Sequence, residues 1–500
     1  MILISLIQVS NLTFGYEGSF DNVFENVSFS IDTDWRCGFI GRNGRGKTTF
    51  LQLLLGKYAY SGHITASVQF EYFPFNVSNP DDTPLEIAES LLPDLELWRL
   101  SRELNLLEVD EGVLYRPYST LSWGERTKVL LAILFIRENS FLLIDEPTNH
   151  LDVEARDTLA RYLKSKRGFI LVSHDRAFLD AVVDHVLSIN RATITVMRGN
   201  FTTWQHEKDL EDQFELQKSE KLKKEVKRLS AAARRSADWS GRAENRKIGF
   251  RPEKTEKSLD RRAFEGEKSR KMMKRAKSIE SRRNAALEEK SALLKNIESA
   301  DTKLAIATLR HPKAVLVEAR ALCVDYGDGP VFQPLNFEIR QGERVALLGR
   351  NGCGKSSILK LLCGEDIPHT GTLQTASGLR ISYMPQSTEG LCGNLRDFCL
   401  ENSLDESLFK AILRKLEFQR TQFEKRMEDF SEGQKKKVLI ARSLCEKAHL
   451  LVWDEPLNFI DVISRMQLEE LLCSAQPTIV FVEHDRRFVE NTATRTITII

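Results

Sequence analysis

Residues 41–48 (GRNGRGKT) and 349–356 (GRNGCGKS) share a spacing suited to holding phosphate. Their glycines let consecutive backbone N–H groups close around phosphate oxygens, and a lysine and a hydroxyl end each run. Lys47 and Lys355 are spaced to reach the β- and γ-phosphates of a nucleotide, and the hydroxyls of Thr48 and Ser356 to ligate Mg²⁺. Later come residues 141–147 (FLLIDEP) and 450–456 (LLVWDEP), apolar strands that end in paired carboxylates. Asp145 and Asp454 suit the magnesium ion, directly or through water. Glu146 and Glu455 suit the task of positioning and polarising an attacking water. His174 and His484 follow at the end of another strand, where their spacing from the acidic pairs fits a γ-phosphate contact. The chemistry these residues can support is Mg²⁺-assisted hydrolysis of a nucleoside triphosphate.

Such parts need a scaffold, and the scaffold occurs twice. The offset between copies is 308 from Lys47 to Lys355, 309 from Ser122 to Ser431, 309 from Asp145 to Asp454 and 310 from His174 to His484. A repeat this long means two whole α/β domains, not a solenoid. Each phosphate loop must join a strand to a helix. The expected domains are residues 1–203 and 313–500, with a linker of different character at 204–312. The apolar start at residues 1–7 lacks a basic lead and reads as a first strand, not a signal peptide.

The linker is polar, helix-prone and basic. Between Lys221 and Arg283 there are 23 Lys/Arg and nine Asp/Glu, a net +14 in a chain whose total is +1. Leu210, Phe214, Leu222, Val226 and Leu229 recur at helical spacing, and Ile279, Ala286 and Leu293 are seven apart. Met272, Ala276 and Ile297 fill intermediate positions. Two antiparallel helices could bury these narrow stripes against each other, with Gly241, Gly249 and Pro252 ending the first and forming a tip around 237–260. An excess of positive charge suits a polyanion, because each neutralised phosphate releases counterions. Trp239, Arg242, Arg246, Lys247, Phe250 and Arg251 mix aromatics with cations, as surfaces do that stack on unpaired bases and grip phosphate. The plainer alternatives are a solvated coiled-coil spacer, and a tip in which Trp239, Ile248 and Phe250 cap the hairpin as a small core.

The order of phosphate loop, LSGGQ-like signature (LSWGE at 121–125, FSEGQ at 430–434), paired carboxylates and histidine resembles that of ABC ATPases. The resemblance covers almost everything outside the linker. It implies two tandem ABC-type P-loop ATPase domains joined by a long antiparallel two-helix linker. It adds Tyr16 and Tyr326 as aromatics that stack on adenine. Gly41, Asn43, Gly44, Gly46 and Thr49 join the first ATP-binding set, and Gly349, Asn351, Gly352, Gly354 and Ser357 the second. Gln386 is added as a contact to metal and water. It also implies exchange: Ser431 and Gly433 complete the site of Lys47, and Ser122 and Gly124 complete the site of Lys355, so that two ATP molecules clamp the halves within a monomer. Departures are visible. Phe75 stands where the other copy has Gln386, Trp123 and Glu432 replace signature glycines, Glu125 replaces a signature glutamine, and Leu457 stands where the first copy has Thr148. The two sites are therefore expected to turn over unequally.

Fused cassettes around a basic linker look like the ABC-F group of ribosome-binding translation proteins, and in particular its antibiotic-resistance branch. The cues are the compact first cassette, with 75 residues from Lys47 to Ser122 against 76 from Lys355 to Ser431, the Tyr-Phe-Pro-Phe stretch at 72–75, the WDEPLN run at 453–458 and the long linker. This implies docking in the tRNA exit site of the 70S ribosome, an arm reaching peptidyl-site tRNA and 23S rRNA near the peptidyl-transferase centre, and displacement of lincosamides, pleuromutilins and streptogramin A. A housekeeping translation factor of the same architecture and the ATPase subunit of a transporter are the alternatives. No apolar run approaches the ~20 residues of a membrane span. Eight scattered cysteines without CxxC spacing suit reduced thiols, hence a cytoplasmic protein.

Overall fold

The computed structural model describes residues 5–16, 22–149, 151–190, 193–248, 267, 270–271, 273–275, 277–285, 306, 308–327, 329–418 and 420–499. It divides into two units, residues 1–204 with 304–500, and residues 205–303.

The first unit holds both cassettes, and they share one plan. In the first, Leu6–Phe14 pairs with Phe24–Asp32 and Ser61–Thr65 in a three-stranded antiparallel sheet. Its alternation sends Ile7, Val9, Leu12 and Phe14 into the core. The main sheet runs Gln69–Phe73, Ser140–Asp145, Phe169–Val172, Arg36–Ile40, His185–Asn190, Thr193–Arg198, parallel except for the last strand. Its central strands are apolar at nearly every position because layers cover both faces. One core lies between the two sheets around the helix Lys47–Leu54, with Phe39, Phe50 and Leu143 fully buried. The other lies under Leu97–Leu106, Trp123–Ile136, Val153–Ser165 and Arg176–Val182.

The second cassette repeats this. Its main sheet runs Ile381–Met384, Leu450–Asp454, Ile479–Val482, Arg344–Leu348, Arg495–Thr498, and its small sheet Leu335–Arg340, Val315–Val324, His369–Thr375. In both copies the phosphate loop, the acidic pair and the histidine follow the carboxyl ends of neighbouring parallel strands. That edge is where ligands gather in open α/β sheets.

In the linker one helix, Phe201–Ile248, runs unbroken for 48 residues. The expected stop at Gly241 is not there. One glycine costs a helix only about 1 kcal/mol, too little to end it without a further breaker. The expected apolar stripe is used unevenly: Leu222 is buried and Val226 and Leu229 are half-buried, while Leu210 and Phe214 are 52% and 68% exposed. Residues 277–285 form part of a second helix. Met272, Ala276, Ala286, Leu293, Ile297, Phe250 and Arg251 lie outside the described residues, as do the side chains of Trp239, Arg242, Arg246 and Lys247. Among the described residues no helix is long and apolar enough to cross a membrane.

Candidate nucleotide sites

Each phosphate loop ends in a glycine that the backbone requires. Gly46 and Gly354 start their helices at φ +93° and +85°, and a Cβ there would lie 2.5 Å from Val23 and 2.9 Å from Phe332. The lysine that follows is buried and turned onto the loop itself. Lys47 Nζ donates to the carbonyls of Gly41 at 2.7 Å and Arg42 at 3.2 Å, and to Asn43 Oδ1 at 3.3 Å. Lys355 Nζ donates to Gly349 and Arg350 at 2.9 and 2.8 Å. Thr48 donates to Asp145 Oδ2 at 3.0 Å, and the Tyr72 hydroxyl donates to the same oxygen at 3.0 Å. Burial still raises the Asp145 carboxyl above its ordinary value, against these two bonds and Lys47. Asp454 is likewise raised by burial, opposed by Ser356, and its Oδ1 is buried without a partner. An orphaned buried acceptor beside a hydroxyl and a lysine suits a cation and its phosphate, so the donor set fits Mg²⁺ and ATP.

The two glutamates share a backbone strain, at φ +51° for Glu146 and +46° for Glu455, that aims both side chains out of their strands. Their surroundings differ. Burial, then the charge of Asp145, pushes Glu146 up to about 8. His174 Nε2 stands 3.3 Å away without the alignment of a hydrogen bond, and His174 is itself held well below the usual histidine value by burial and by the charges of Lys47 and Arg465. Burial also opposes the charge on Glu455, but it is outweighed and the group falls to about 2. The amides of Asn458 and Gln386 donate to Glu455 Oε2 at 2.5 and 2.7 Å, and His484 Nε2 lies 3.7 Å from Oε1. In the first copy Phe75 packs on the core instead of offering an amide.

Residues distant in sequence close each site. Asn43 Nδ2 donates to the carbonyl of Phe459 at 2.8 Å. Gly433 sits so close to that turn that a Cβ would lie 2.4 Å from Phe459 O and 3.3 Å from Asn43 Nδ2. The second signature therefore lies against the first phosphate loop. Conversely, Trp123, Leu151 and Arg156 of the first cassette line one cavity of about 500 Å³ with Tyr326, Asn351, Gly352, Gly354, Lys355, Ser356, Ser357, Gln386, Glu455, Asn458 and His484. A neighbouring cavity of about 510 Å³ has Ser122, Gly124 and Asn351 on its walls. Ser122 and Ser431 cap the signature helices, each in a reciprocal box with the residue three positions on, Glu125 or Gln434. That box gives Glu125, a departure from the signature pattern, a structural task. The hydroxyls of Tyr16 and Tyr326 meet Thr49 and Ser357, both at 2.7 Å, so the two aromatics hold equivalent places.

Several contributors carried no role in the sequence reading. Asn458, Tyr72 and Arg465 are among them, and so is Asp461, whose charge acts on Lys47 from the other cassette. The repeat offset could have exposed Asp461 and Arg465 as partners of Asp152 and Arg156. The change from Thr148 to Leu457 is explained by a compensating change. Thr148 and Ser173 share a hydrogen bond of 3.1 Å; in the second copy Glu483 replaces the serine and accepts from the Leu457 backbone N–H at 3.1 Å.

Ion pairs hold the cassettes together. Arg42 meets Glu417 at 2.5 Å, Arg486 meets Asp157 at 2.6 Å, and Arg176 is buried against Glu469. Arg487, three residues after His484, contacts Asp180 and donates to Thr202 Oγ1 at 2.8 Å. Asp180 also accepts the Thr202 N–H at 2.8 Å, in the first turn of the long linker helix.

The domain family described as ABC transporter matches residues 24–149 and 332–458. The ribosome protection protein VmlR of Bacillus subtilis (strain 168) is 30% identical over 95% of this chain and 84% of its own length. The probable ATP-binding protein YbiT of Escherichia coli O157:H7 is 27% identical over 95% of this chain and 93% of its own. The ATP-binding protein Uup of Buchnera aphidicola is 28% identical over 98% and 79%. Among solved structures, an archaeal ribosome recycling factor aABCE1, in complex with ribosomal stalk protein aP1, superposes with a TM-score of 0.63 at 17% identity, over 98% of this chain and 87% of that one. An RNase-L inhibitor gives 0.63 at 18% over the same shares. These two likenesses concern the fold.

Proposed function

The chain belongs to the ABC ATPase family, within its ABC-F group, and is an ATP hydrolase; from that premise we propose that it works on the bacterial ribosome. Two ATP molecules with Mg²⁺ hold the cassettes together, and hydrolysis lets them part. Lys47 and Lys355 would bind phosphate, Thr48, Ser356, Asp145, Asp454 and Gln386 would hold the metal, and Glu146 and Glu455 would orient water beside His174 and His484. The bound metal and nucleotide supply charge neutralisation and the reacting phosphoryl group. The observation that carries the ribosomal reading is the net +14 of residues 221–283 beside paired ATPase cassettes. Positive charge on that scale favours RNA through counterion release. A relative at 30% identity, matched over 84% of its length, whose name records ribosome protection, supports the same reading.

In this reading ATP-loaded protein docks at the tRNA exit site of the 70S ribosome. The linker tip, with Trp239, Arg242, Arg246, Lys247, Phe250 and Arg251, addresses peptidyl-site tRNA and 23S rRNA, and drugs bound at the peptidyl-transferase centre are displaced. Replacing both glutamates (Glu146→Gln with Glu455→Gln) should trap the protein on 70S ribosomes in ATP, read by co-sedimentation. A double variant that sediments free of ribosomes at low salt defeats the proposal. The resistance role has its own measurement: inhibitory concentrations of lincosamides, pleuromutilins and streptogramin A rise in an expressing strain. Unchanged values leave a housekeeping translation factor.

A further inference from the structure

Trp123 occupies a signature position where the ABC pattern has glycine. It begins the helix Trp123–Ile136 and is 63% exposed. The indole is held in place. The guanidinium of Arg126 lies 5.3 Å from the indole centroid and 5.2 Å from that of Tyr118, and it donates to the Ser119 carbonyl at 2.5 Å. Arg126 thus braces one face of the ring by cation–π attraction. The indole lines the cavity of about 500 Å³ that contains Tyr326, Asn351, Lys355, Ser356 and Ser357 of the opposite cassette.

The other signature differs at this position. Glu432, the counterpart of Trp123, turns to Thr388 and to Lys435 at 3.1 Å inside its own cassette. Tyr16 already packs on Phe14 and Tyr58, at centroid distances of 5.1 and 5.8 Å. At the signature position, therefore, an aromatic stands only on the side facing the second site.

We propose that Trp123 is a nucleotide-positioning residue of the second site, its indole forming with Tyr326 the aromatic lining against which the purine–ribose end of ATP packs. The inference rests on the ATP-binding reading of that site. Every base has a π-face, so stacking holds the nucleotide without a hydrogen-bond code, and the contact exists only while the cassettes are together. Trp123 would then tie nucleotide affinity at this site to closure.

Calorimetric titration of the full chain with Mg²⁺ and the non-hydrolysable analogue AMP-PNP tests this. Trp123→Ala should weaken one of two binding events by about tenfold and leave the other unchanged, as expected for one lost base stack. Trp123→Phe should restore most of the affinity. Tyr326→Ala provides the reference for the same event. If Trp123→Ala changes neither event while Tyr326→Ala weakens one, the role of Trp123 is refuted and the site stands. If neither variant changes binding, the reading of the site itself fails, and the proposal with it. If Trp123→Phe is as weak as Trp123→Ala, the loss belongs to the helix start and not to stacking, which also overturns the proposal.

Discussion

Two carboxylates in the same Asp-Glu-Pro motif meet opposite conditions. Glu146, half-buried beside Asp145, is pushed up to about 8 by desolvation and that neighbour's charge, against a hydrogen bond from the His174 backbone N–H. Glu455 receives hydrogen bonds from Asn458 and Gln386 and is ionised down to about 2. A carboxylate that is to accept a proton from water must be ionised at working pH. The comparison teaches that the motif supplies the group, while its neighbours decide whether it can act. The two sites therefore hold their glutamates under unequal electrostatic conditions. At Glu455 the lowering comes first from His484 and then from the amides of Asn458 and Gln386, and the first copy has Phe75 where Gln386 stands.

The largest effect expected is on steady-state ATPase. Glu455→Gln should lower turnover by roughly 100-fold or more, the usual worth of a general base, whereas Glu146→Gln should cost about twofold. Equal losses would erase the asymmetry. Next comes the amide itself. Gln386→Phe should reduce turnover by about tenfold, the factor that corresponds to ~1.4 kcal/mol in a barrier. The reciprocal Phe75→Gln, measured in a Glu455→Gln background, should raise the residual rate; a rate that does not move means the amide is not what separates the sites.

A smaller effect is expected at Arg487. Arg487→Ala removes a charge-assisted contact between the cassettes and Asp180, where it shares the carboxylate with Thr202. Hydrogen exchange at the first turn of Phe201–Ile248 should become insensitive to ATP, while nucleotide affinity changes by no more than about twofold, the scale of a partly exposed ion pair. Retained sensitivity would show that closure reaches that turn by another route.

A last effect concerns stability of the nucleotide-free protein and its dependence on pH. Burial raises the Glu146 carboxyl from its ordinary 4.5 to about 8 in the folded state. The folded chain then binds more protons than the unfolded one between these values, so this group's contribution falls as pH rises through that window. Glu146→Gln removes the fall. Its melting temperature should match the parent near pH 5 and exceed it above about pH 8. A difference that is the same at both ends would mean that Glu146 is not held protonated.

Much of this was legible in the chain. The phosphate loops, acidic strands and histidines announced themselves by type and spacing, because each chemical task tolerates few residues at few distances. The constant offset made the second cassette a copy of the first, and the strand order repeats accordingly. Less legible were the contacts that act across cassettes. Asp461 and Arg465 look like ordinary members of a helix start, and their influence on Lys47 and Glu146 appears only when the halves meet. Leu457 lacks the hydroxyl of Thr148, but Glu483 restores a bond between the two positions by accepting the Leu457 backbone N–H. In the linker the reverse holds: Gly241 is a breaker by type, yet the helix passes through it. A local propensity of about 1 kcal/mol is easily overruled by the turns on either side.

By itself the sequence determined that this chain carries two ATPase cassettes and one basic helical segment, since covalent spacing alone selects the phosphate loop, the metal carboxylate and the charge run. Only the tertiary structure decided which glutamate is ionised, which signature faces which loop, and that Trp123 lines the site of the other cassette. Proton affinity and site composition depend on distances between groups that the chain order leaves far apart, and those distances exist only after packing.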